Sequence, residues 1–250
     1  MERNNTGAGI RLAVRAHDVP CRDAESLCGA LRELGVRDIQ LAPHKSFPGF
    51  DYTEESVAAL ADVLRAHGVR VAVYGCYIDP AAPEGEARFL RHIRFAEMLG
   101  AQVIATETGV TVSDGSLSEE TYARLVRAFR AFVREADGRP VTVAAEAVAV
   151  HPIATPDRMR RLLDDVPGLA AVFDPENLRM NGTEGEDPAR RALSLYGGRV
   201  AAVHWKRRSA GEDAFVADWL EEHPEIPLIT EELTGEDLRR VLDGFRARGK

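Results

Sequence analysis

Short runs of apolar, β-prone residues alternate along the chain with longer segments that place hydrophobic residues at helical spacing. This alternation continues to the last segment and predicts a series of parallel βαβ units. Each apolar run is nearly continuous, as expected for a strand that is covered on both faces. The eight predicted strands are Ile10–Val14, Asp38–Leu41, Val69–Tyr74, Gln102–Ala105, Val141–Ala145, Ala170–Phe173, Val200–Val203 and Ile226–Ile229.

The segments between these runs begin and end as amphipathic helices do. Asp23 and Thr53 are N-cap residues with carboxylates in the turn that follows, and Thr155 is followed by a proline at the first helical position. Thr234 precedes the last predicted helix in a similar way. Glycines stand where four of the helices should end and turn into the next strand, namely Gly35, Gly68, Gly100 and Gly138.

Eight such units in 250 residues predict a (β/α)8 TIM barrel that occupies residues 1–250 as one domain. A doubly wound open sheet has the same alternation of strands and helices. That alternative predicts a glycine-rich phosphate loop after the first strand, where the chain instead reads Ala16-His17-Asp18-Val19-Pro20. The barrel is therefore favoured over the open sheet.

Composition narrows the class of protein. The chain is 45% hydrophobic and has no apolar stretch of membrane-spanning length, and its polar N-terminus lacks the apolar core of a secretory signal, which predicts a cytoplasmic protein. A net charge of −8 argues against nucleic-acid binding, which draws its affinity from basic residues. Three cysteines without C-x-x-C spacing favour neither a disulfide framework nor a thiolate zinc site.

In a (β/α)8 barrel the active site lies at the C-terminal ends of the strands, so the polar residues that follow each apolar run are the candidates for chemistry. Each of the eight predicted strands is followed by at least one ionisable or hydroxyl-bearing side chain. In strand order these residues are His17 and Asp18, His44, Tyr77 and Asp79, Glu107, Glu146, Asp174, His204, and Glu231 with Glu232.

The last four strand ends are evenly spaced. Glu146, Asp174, His204 and Glu231 follow one another at intervals of 28, 30 and 27 positions, which is one barrel unit each time. Residues at equivalent strand ends converge on the barrel axis, and three carboxylates gathered there repel one another unless a cation lies among them or some of them are protonated. A divalent metal is the simplest of these solutions. An oxygen-rich set with one nitrogen suits Mn²⁺, Mg²⁺, Co²⁺ or Zn²⁺.

Motifs at these strand ends resemble those of the sugar phosphate isomerase/epimerase family, which has the xylose isomerase-like TIM barrel. The resemblance extends from about residue 10 to the last helix. The matching segments are Gly75-Cys76-Tyr77-Ile78-Asp79-Pro80, Thr106-Glu107-Thr108-Gly109, Ala145-Glu146-Ala147-Val148, Phe173-Asp174-Pro175-Glu176-Asn177-Leu178, Val203-His204-Trp205-Lys206 and Thr230-Glu231-Glu232-Leu233-Thr234-Gly235.

The resemblance implies that Glu146, Asp174, His204 and Glu231 bind a divalent metal. It also implies that Glu146 and Glu231 lie on opposite faces of a bound sugar and exchange protons with it. Glu232 replaces Glu231 if the register of the eighth strand is shifted by one residue. The chain departs from the family at two positions that shape the substrate pocket, because Asn177 stands where many members have histidine and Arg207 where many have aspartate.

Six residues are candidates for substrate binding, and each also has a structural interpretation. Glu107 is a substrate ligand, an acceptor behind the metal ligands, or a cap of its loop, and His151 lies in a loop that can reach the metal or remain in solvent. Lys206 can hold a carbonyl, phosphate or carboxylate, or form an ordinary salt bridge. The six are His17, Tyr77, Glu107, His151, Asn177 and Lys206.

The expected function is that of a divalent-metal-dependent isomerase or epimerase acting on a small keto-sugar, sugar phosphate or cyclitol ketone. Proton transfer passes through an enediolate that the metal stabilises. A dehydratase or lyase acting on the same substrates is the first alternative. An endonuclease-IV-like phosphodiesterase requires more histidines, and a non-catalytic member of the fold would be marked by a lost ligand. The expected partner is a small polyhydroxylated molecule, with no membrane, and a homo-oligomer is compatible with this fold.

Overall fold

A computed structural model describes residues 9–109, 116–180, 186–206 and 214–248. Eight parallel strands form a closed barrel, in which each strand pairs with the next along the chain and the last pairs with the first. The predicted (β/α)8 barrel is therefore confirmed. The strands are β1 (Arg11–Arg15), β2 (Asp38–Leu41), β3 (Arg70–Gly75), β4 (Val103–Thr106), β5 (Thr142–Glu146), β6 (Ala170–Phe173), β7 (Val200–Trp205) and β8 (Pro227–Thr230).

Helices connect the strands and bury their apolar faces together with the outward-facing strand residues in one large core. Short 3-10 helices follow β1 at Ala16–Asp18 and precede β7 at Gly197–Arg199. None of the helices in the described ranges is long and apolar enough to cross a membrane. The α-helices are α1 (Ala24–Leu34), α2 (Pro43–Ser46), α3 (Glu54–Ala66), α4 (Pro83–Met98), α5 (Glu119–Ala136), α6 (Pro156–Asp165), α7 (Pro175–Arg179), α8 (Pro188–Tyr196), α9 (Ala214–Glu222) and α10 (Gly235–Arg248).

The predicted helix starts and stops are present. Asp23 and Ser26 form a reciprocal capping box at the start of α1, and the Thr53 and Thr155 side chains accept backbone N–H groups in α3 and α6. The four glycines predicted at helix ends all have positive φ, which residues with a Cβ rarely adopt. Local sequence signals thus fix where each connection turns towards the next strand.

Six strands extend past their predicted C-terminal ends, β7 by two residues and β1, β3, β4, β5 and β8 by one residue each. The ladder between β7 and β8 pairs His204 with Ile229, so that β7 continues past the predicted end of the strand. In the same way β5 includes Glu146, which pairs with Val172 of β6. Glu146 and His204 are therefore strand residues rather than the first residues after the strands. Their pairing in the strand ladders gives their side chains a defined direction.

The interior of the barrel is filled by small and branched apolar side chains. Since strand side chains alternate between the two faces, a residue two positions after an interior residue also faces inward. Glu146 and His204 follow interior alanines by two positions, and Asp174 and Glu231 follow interior residues of β6 and β8 by the same interval. The four pairs are Ala144 with Glu146, Val172 with Asp174, Ala202 with His204, and Ile229 with Glu231.

His92 of α4 is a buried histidine within the outer core. Its side chain is 2% exposed, and its Nδ1 lies 2.7 Å from the hydroxyl oxygen of Tyr74. Burial, with a smaller effect of Arg88, lowers the pKa of His92 from 6.5 to about 3. The unfolded chain therefore binds a proton on this imidazole at pH values where the folded protein does not.

We expect His92 to make the protein less stable in acid. As the pH falls from 6.5 towards 3, this group lowers the free energy of unfolding by up to about 1.4 kcal/mol per pH unit. Other groups titrate in the same range, so the test compares the wild type with His92→Gln by chemical denaturation at pH 6.5 and pH 4. The difference in unfolding free energy between the two proteins should change over this interval, and a constant difference would contradict the prediction.

Candidate metal centre

Four ionisable side chains lie buried at the C-terminal end of the barrel. Glu146 ends β5, Asp174 follows β6, His204 belongs to β7 and Glu231 follows β8. All four are at most 5% exposed. Their backbone positions are set by neighbouring parallel strands, so the side chains approach one another across the barrel.

The centre of this group is the Nδ1 atom of His204. It lies 3.4 Å from Oε1 of Glu146 and 3.4 Å from Oε1 of Glu231. Glu146, Asp174 and His204 each offer a ligand atom within 4.8 Å of the other two, which is close enough to hold one metal ion. Glu231 approaches the same nitrogen from β8. Glu232 is exposed, so the residue that faces His204 is Glu231.

The other ring nitrogen of His204 is already engaged. Nε2 lies 2.7 Å from the amide oxygen of Gln40, and the Gln40 amide nitrogen donates to the Tyr77 hydroxyl. When Nε2–H donates to Gln40, the lone pair of Nδ1 faces two carboxylates, and Nδ1 makes no hydrogen bond within the described ranges. Such an arrangement fits a divalent cation, because a metal-binding histidine usually donates its second N–H to a nearby acceptor.

The electrostatics of His204 point in the same direction. Burial alone would lower its pKa, but the negative charges of Glu231 and Glu146 outweigh burial and raise the pKa to about 9. Without a metal, the ring therefore takes up a proton among the carboxylates. A proton on the ring and a metal ion beside it each place a positive charge among the carboxylates.

Asn177 connects two of the carboxylates. Its Nδ2 donates to Oε1 of Glu146 at 3.0 Å and to Oδ2 of Asp174 at 2.8 Å. Its backbone N–H donates to Oδ1 of Asp174 at 2.9 Å, so Asp174 is also the N-cap of α7. The residue that departs from the histidine found in many family members thus fixes the relative orientation of two candidate ligands.

Lys206 lies beside the same carboxylates. Its ammonium nitrogen is 2.7 Å from Oδ2 of Asp174 and 3.8 Å from Oε2 of Glu231. Burial opposes its charge, but Asp174 outweighs burial and raises the pKa of Lys206 above its ordinary value. The lysine therefore carries its charge near neutral pH and offsets part of the excess negative charge.

The other sequence-predicted substrate residues surround this group. The Tyr77 hydroxyl group accepts a hydrogen bond from Gln40, the residue that also contacts His204. The Lys45 ammonium lies 4.5 Å from the centre of the Tyr77 ring. His151 is buried, with its Nδ1 3.7 Å from Oε2 of Glu107. Burial lowers the pKa of His151, whereas burial and then the charge of Glu146 raise the pKa of Glu107.

His17 lies in the 3-10 helix after β1 and is half-buried. Burial, followed by the charge of Arg15, lowers the pKa of His17 to about 4, so the ring is neutral near pH 7. A neutral imidazole can both donate and accept hydrogen bonds, as recognition of a hydroxyl group requires. Arg207, where many family members have aspartate, lies outside the described residues.

Two neighbours of the candidate ligands were not among the predicted site residues. Gln40 stands in β2, a strand whose four residues are all buried, and a fully buried amide in such a strand requires hydrogen-bonding partners. Arg15 at the end of β1 lies 3.4 Å from Oε2 of Glu231. The sequence signal for both is a polar residue at or near the C-terminal end of a predicted strand.

The closed barrel, with buried carboxylates and an imidazole at the C-terminal ends of its strands, defines a TIM barrel protein with a candidate divalent-metal site. The profile of the xylose isomerase-like TIM barrel family matches residues 28–240. The chain therefore belongs to this family. Comparison with curated protein sequences gives no match.

Solved structures with this fold cover nearly the whole chain. The 3-keto-D-glucoside 4-epimerase YcjR from E. coli has a TM-score of 0.74 at 14% identity, covering 96% of this chain and 99% of that one. The probable 3-DHS dehydratase AsbF from Bacillus anthracis has a TM-score of 0.73 at 12% identity, covering 96% and 99%. The IolI protein with a bound zinc atom has a TM-score of 0.73 at 13% identity, covering 96% and 98%. At these identities the similarity establishes the fold.

Proposed function

We propose that the protein is a divalent-metal-dependent isomerase or epimerase that moves a proton next to the carbonyl group of a small polyhydroxylated ketone or aldehyde. Keto-sugars, sugar phosphates and cyclitol ketones are the substrate class. The observation that carries this proposal is the pair of buried glutamates, Glu146 and Glu231, each 3.4 Å from the same nitrogen of His204.

The proposed ligands are Glu146, Asp174, His204 and Glu231, with Mn²⁺, Mg²⁺, Co²⁺ or Zn²⁺ as the ion. When bound, such an ion supplies Lewis-acid polarisation of the substrate carbonyl and an adjacent hydroxyl group. The Nδ1 atom of His204, which faces two carboxylates and makes no hydrogen bond to a described residue, is the structural support for an ion at this place.

The two glutamates supply the proposed acid and base. They extend from β5 and β8 and approach His204 from different sides. One carboxylate removes the proton next to the carbonyl, and the other returns a proton to the opposite face or to the neighbouring carbon. Asp174 has a different role, because its two oxygens already accept hydrogen bonds from Asn177 and Lys206.

The surrounding side chains suit a substrate rich in hydroxyl groups. Neutral His17 can donate to or accept from a hydroxyl, and the Glu107 and His151 side chains offer further polar atoms. The proposed substrate class also agrees with the name of the 3-keto-D-glucoside 4-epimerase that shares this fold. Protein groups of this kind orient a small polar molecule while the apolar barrel interior closes the site from below.

Hydrogen exchange at the substrate carbon tests the proposal. The Mn²⁺-loaded protein is incubated in D₂O with a panel of ketoses and cyclitol ketones, and the products are examined by mass spectrometry and NMR. We expect metal-dependent deuterium uptake at the carbon next to the carbonyl with at least one substrate class, and none with chelator-treated protein. Substrate that loses water instead would identify a dehydratase. Absence of exchange and of dehydration across the panel, in protein that holds its metal, would contradict the proposal.

A further inference from the structure

The residue after Glu231 has an unusual backbone conformation. Glu232 has φ of +57°, and it is the sole non-glycine residue with positive φ in the ranges that the structure describes. A residue with a Cβ adopts this left-handed conformation only at a steric cost, which neighbouring contacts must offset. At this turn the chain changes direction, so that Glu231 is buried and faces His204 while Glu232 is exposed.

Asp18, from the 3-10 helix after β1, contacts this turn. Its Oδ2 accepts the backbone N–H of Glu232 at 2.7 Å. The same carboxylate accepts two hydrogen bonds from Arg15, at 2.8 Å from Nε and 2.9 Å from the terminal nitrogen. This is a bidentate guanidinium–carboxylate pair, a geometry that fixes the orientation of the arginine side chain.

Arg15 in turn faces Glu231. Its second terminal nitrogen lies 3.4 Å from Oε2 of Glu231, while Oε1 of the same carboxylate lies 3.4 Å from Nδ1 of His204. One oxygen of Glu231 is thus directed to a fixed cation and the other to the candidate metal centre. Lys206 lies 3.8 Å from the same outer oxygen, Oε2, and Arg15 and Lys206 together offset the repulsion of Glu231 by the carboxylates of Glu146 and Asp174.

We propose that Asp18 is a positioning residue for Glu231. It acts by two routes, by holding the left-handed backbone at Glu232 and by orienting Arg15 against the outer oxygen of Glu231. The consequence for metal binding rests on the proposed function, in which Glu231 is a ligand. The role of Asp18 in holding the Glu232 backbone does not rest on the proposed function, because it follows from the hydrogen bond between the two residues and from the φ angle of Glu232.

Glycine at position 232 provides the decisive test, because glycine adopts positive φ without the steric cost and needs no external support. Mn²⁺ affinity and thermal unfolding are measured for the wild type, Asp18→Ala, Glu232→Gly and the double variant. We expect Asp18→Ala to weaken Mn²⁺ binding by roughly 10- to 100-fold, as loss of a residue that orients a ligand does. Glu232→Gly alone should leave the affinity within about twofold, and the double variant should bind at least about threefold more tightly than Asp18→Ala.

A matched control is available on the surface. Asp62 pairs with Arg65 at the same sequence interval as Asp18 and Arg15, but both side chains are about 70% exposed. Asp62→Ala should change neither Mn²⁺ affinity nor the unfolding temperature appreciably. If Asp18→Ala does not fold, Asp18→Asn tests the Arg15 route alone, since it removes the charge that orients Arg15 and keeps an oxygen for the Glu232 N–H. Asp18→Asn should weaken Mn²⁺ binding without restoration by Glu232→Gly, and wild-type affinity in this variant would overturn the Arg15 route.

The outcomes separate this proposal from the proposed function. Wild-type affinity in Asp18→Ala, or failure of glycine at position 232 to restore any binding, would overturn the positioning role. If the wild type itself binds no divalent ion, the proposed function is contradicted, and thermal unfolding then tests whether Asp18 holds the Glu232 backbone. Glu232→Gly should then raise the unfolding temperature more in the wild type, where Asp18 holds the left-handed backbone, than in Asp18→Ala, where the backbone can relax; equal shifts in both backgrounds would overturn the proposal.

Discussion

Replacing His204 with alanine is expected to abolish stoichiometric binding of a divalent ion. The substitution removes the only nitrogen among the four proposed ligands, and that nitrogen lies 3.4 Å from a carboxylate oxygen of both Glu146 and Glu231. We expect the affinity for Mn²⁺ or Zn²⁺ to fall by more than the roughly 10- to 100-fold that loss of an outer partner costs. Elemental analysis after metal loading and gel filtration measures this loss directly.

His151 provides the matched control for this experiment. It is also buried at the C-terminal end of the barrel, but its Nδ1 faces a single carboxylate, Glu107, at 3.7 Å. His151→Ala should retain about one ion per chain. Circular dichroism must show that both variants remain folded. Equal metal content in His204→Ala and the wild type would contradict the proposed site, and loss in both variants would show that the effect is not specific to His204.

The four proposed ligands could be found in the sequence because the barrel repeats. Each βα unit has a similar length, so residues that end successive strands recur at nearly constant intervals, as Glu146, Asp174, His204 and Glu231 do. The alternation of strand side chains then places them above the interior residues Ala144, Val172, Ala202 and Ile229. The fold thus follows from local sequence patterns, and the convergence of these four side chains follows from the closure of the strands into a barrel.

The contacts behind these residues could not be found in the same way. Gln40 and His204 are 164 residues apart and lie on β2 and β7, which are not neighbouring strands. Their hydrogen bond depends on side-chain length and on the width of the barrel interior. The left-handed backbone at Glu232 was not predictable either, because no glycine or asparagine marks the position and the support comes from Asp18, 214 residues away.

Asn177 shows how a departure from a family pattern can gain a meaning from the structure. In the sequence, asparagine at this position is simply a difference from the histidine of many relatives. In the structure, its side chain bridges Glu146 and Asp174, at 3.0 and 2.8 Å. An amide that donates two hydrogen bonds holds both carboxylates with their oxygens directed inward, so the substitution is compatible with a metal centre.

Glu146→Gln is expected to lower turnover strongly while metal binding is retained. Glutamine has nearly the same shape and keeps an oxygen that can accept from Asn177, but it cannot take up a proton at neutral pH. Loss of a general acid or base typically lowers the rate by roughly 10²- to 10⁴-fold, and we expect a fall of that size in kcat. Deuterium exchange and product formation are measured together in the metal-loaded variant, with Glu231→Gln as its counterpart.

The two substitutions also separate the roles of the two glutamates. For a given substrate, the variant that lacks the base should no longer exchange the proton next to the carbonyl. The variant that lacks the opposite carboxylate should still exchange that proton without forming product, and the two behaviours should be reversed when the product epimer is supplied. Identical losses with both epimers would contradict bases on separate faces. Full activity in either variant, with the metal bound, would exclude that glutamate from proton transfer.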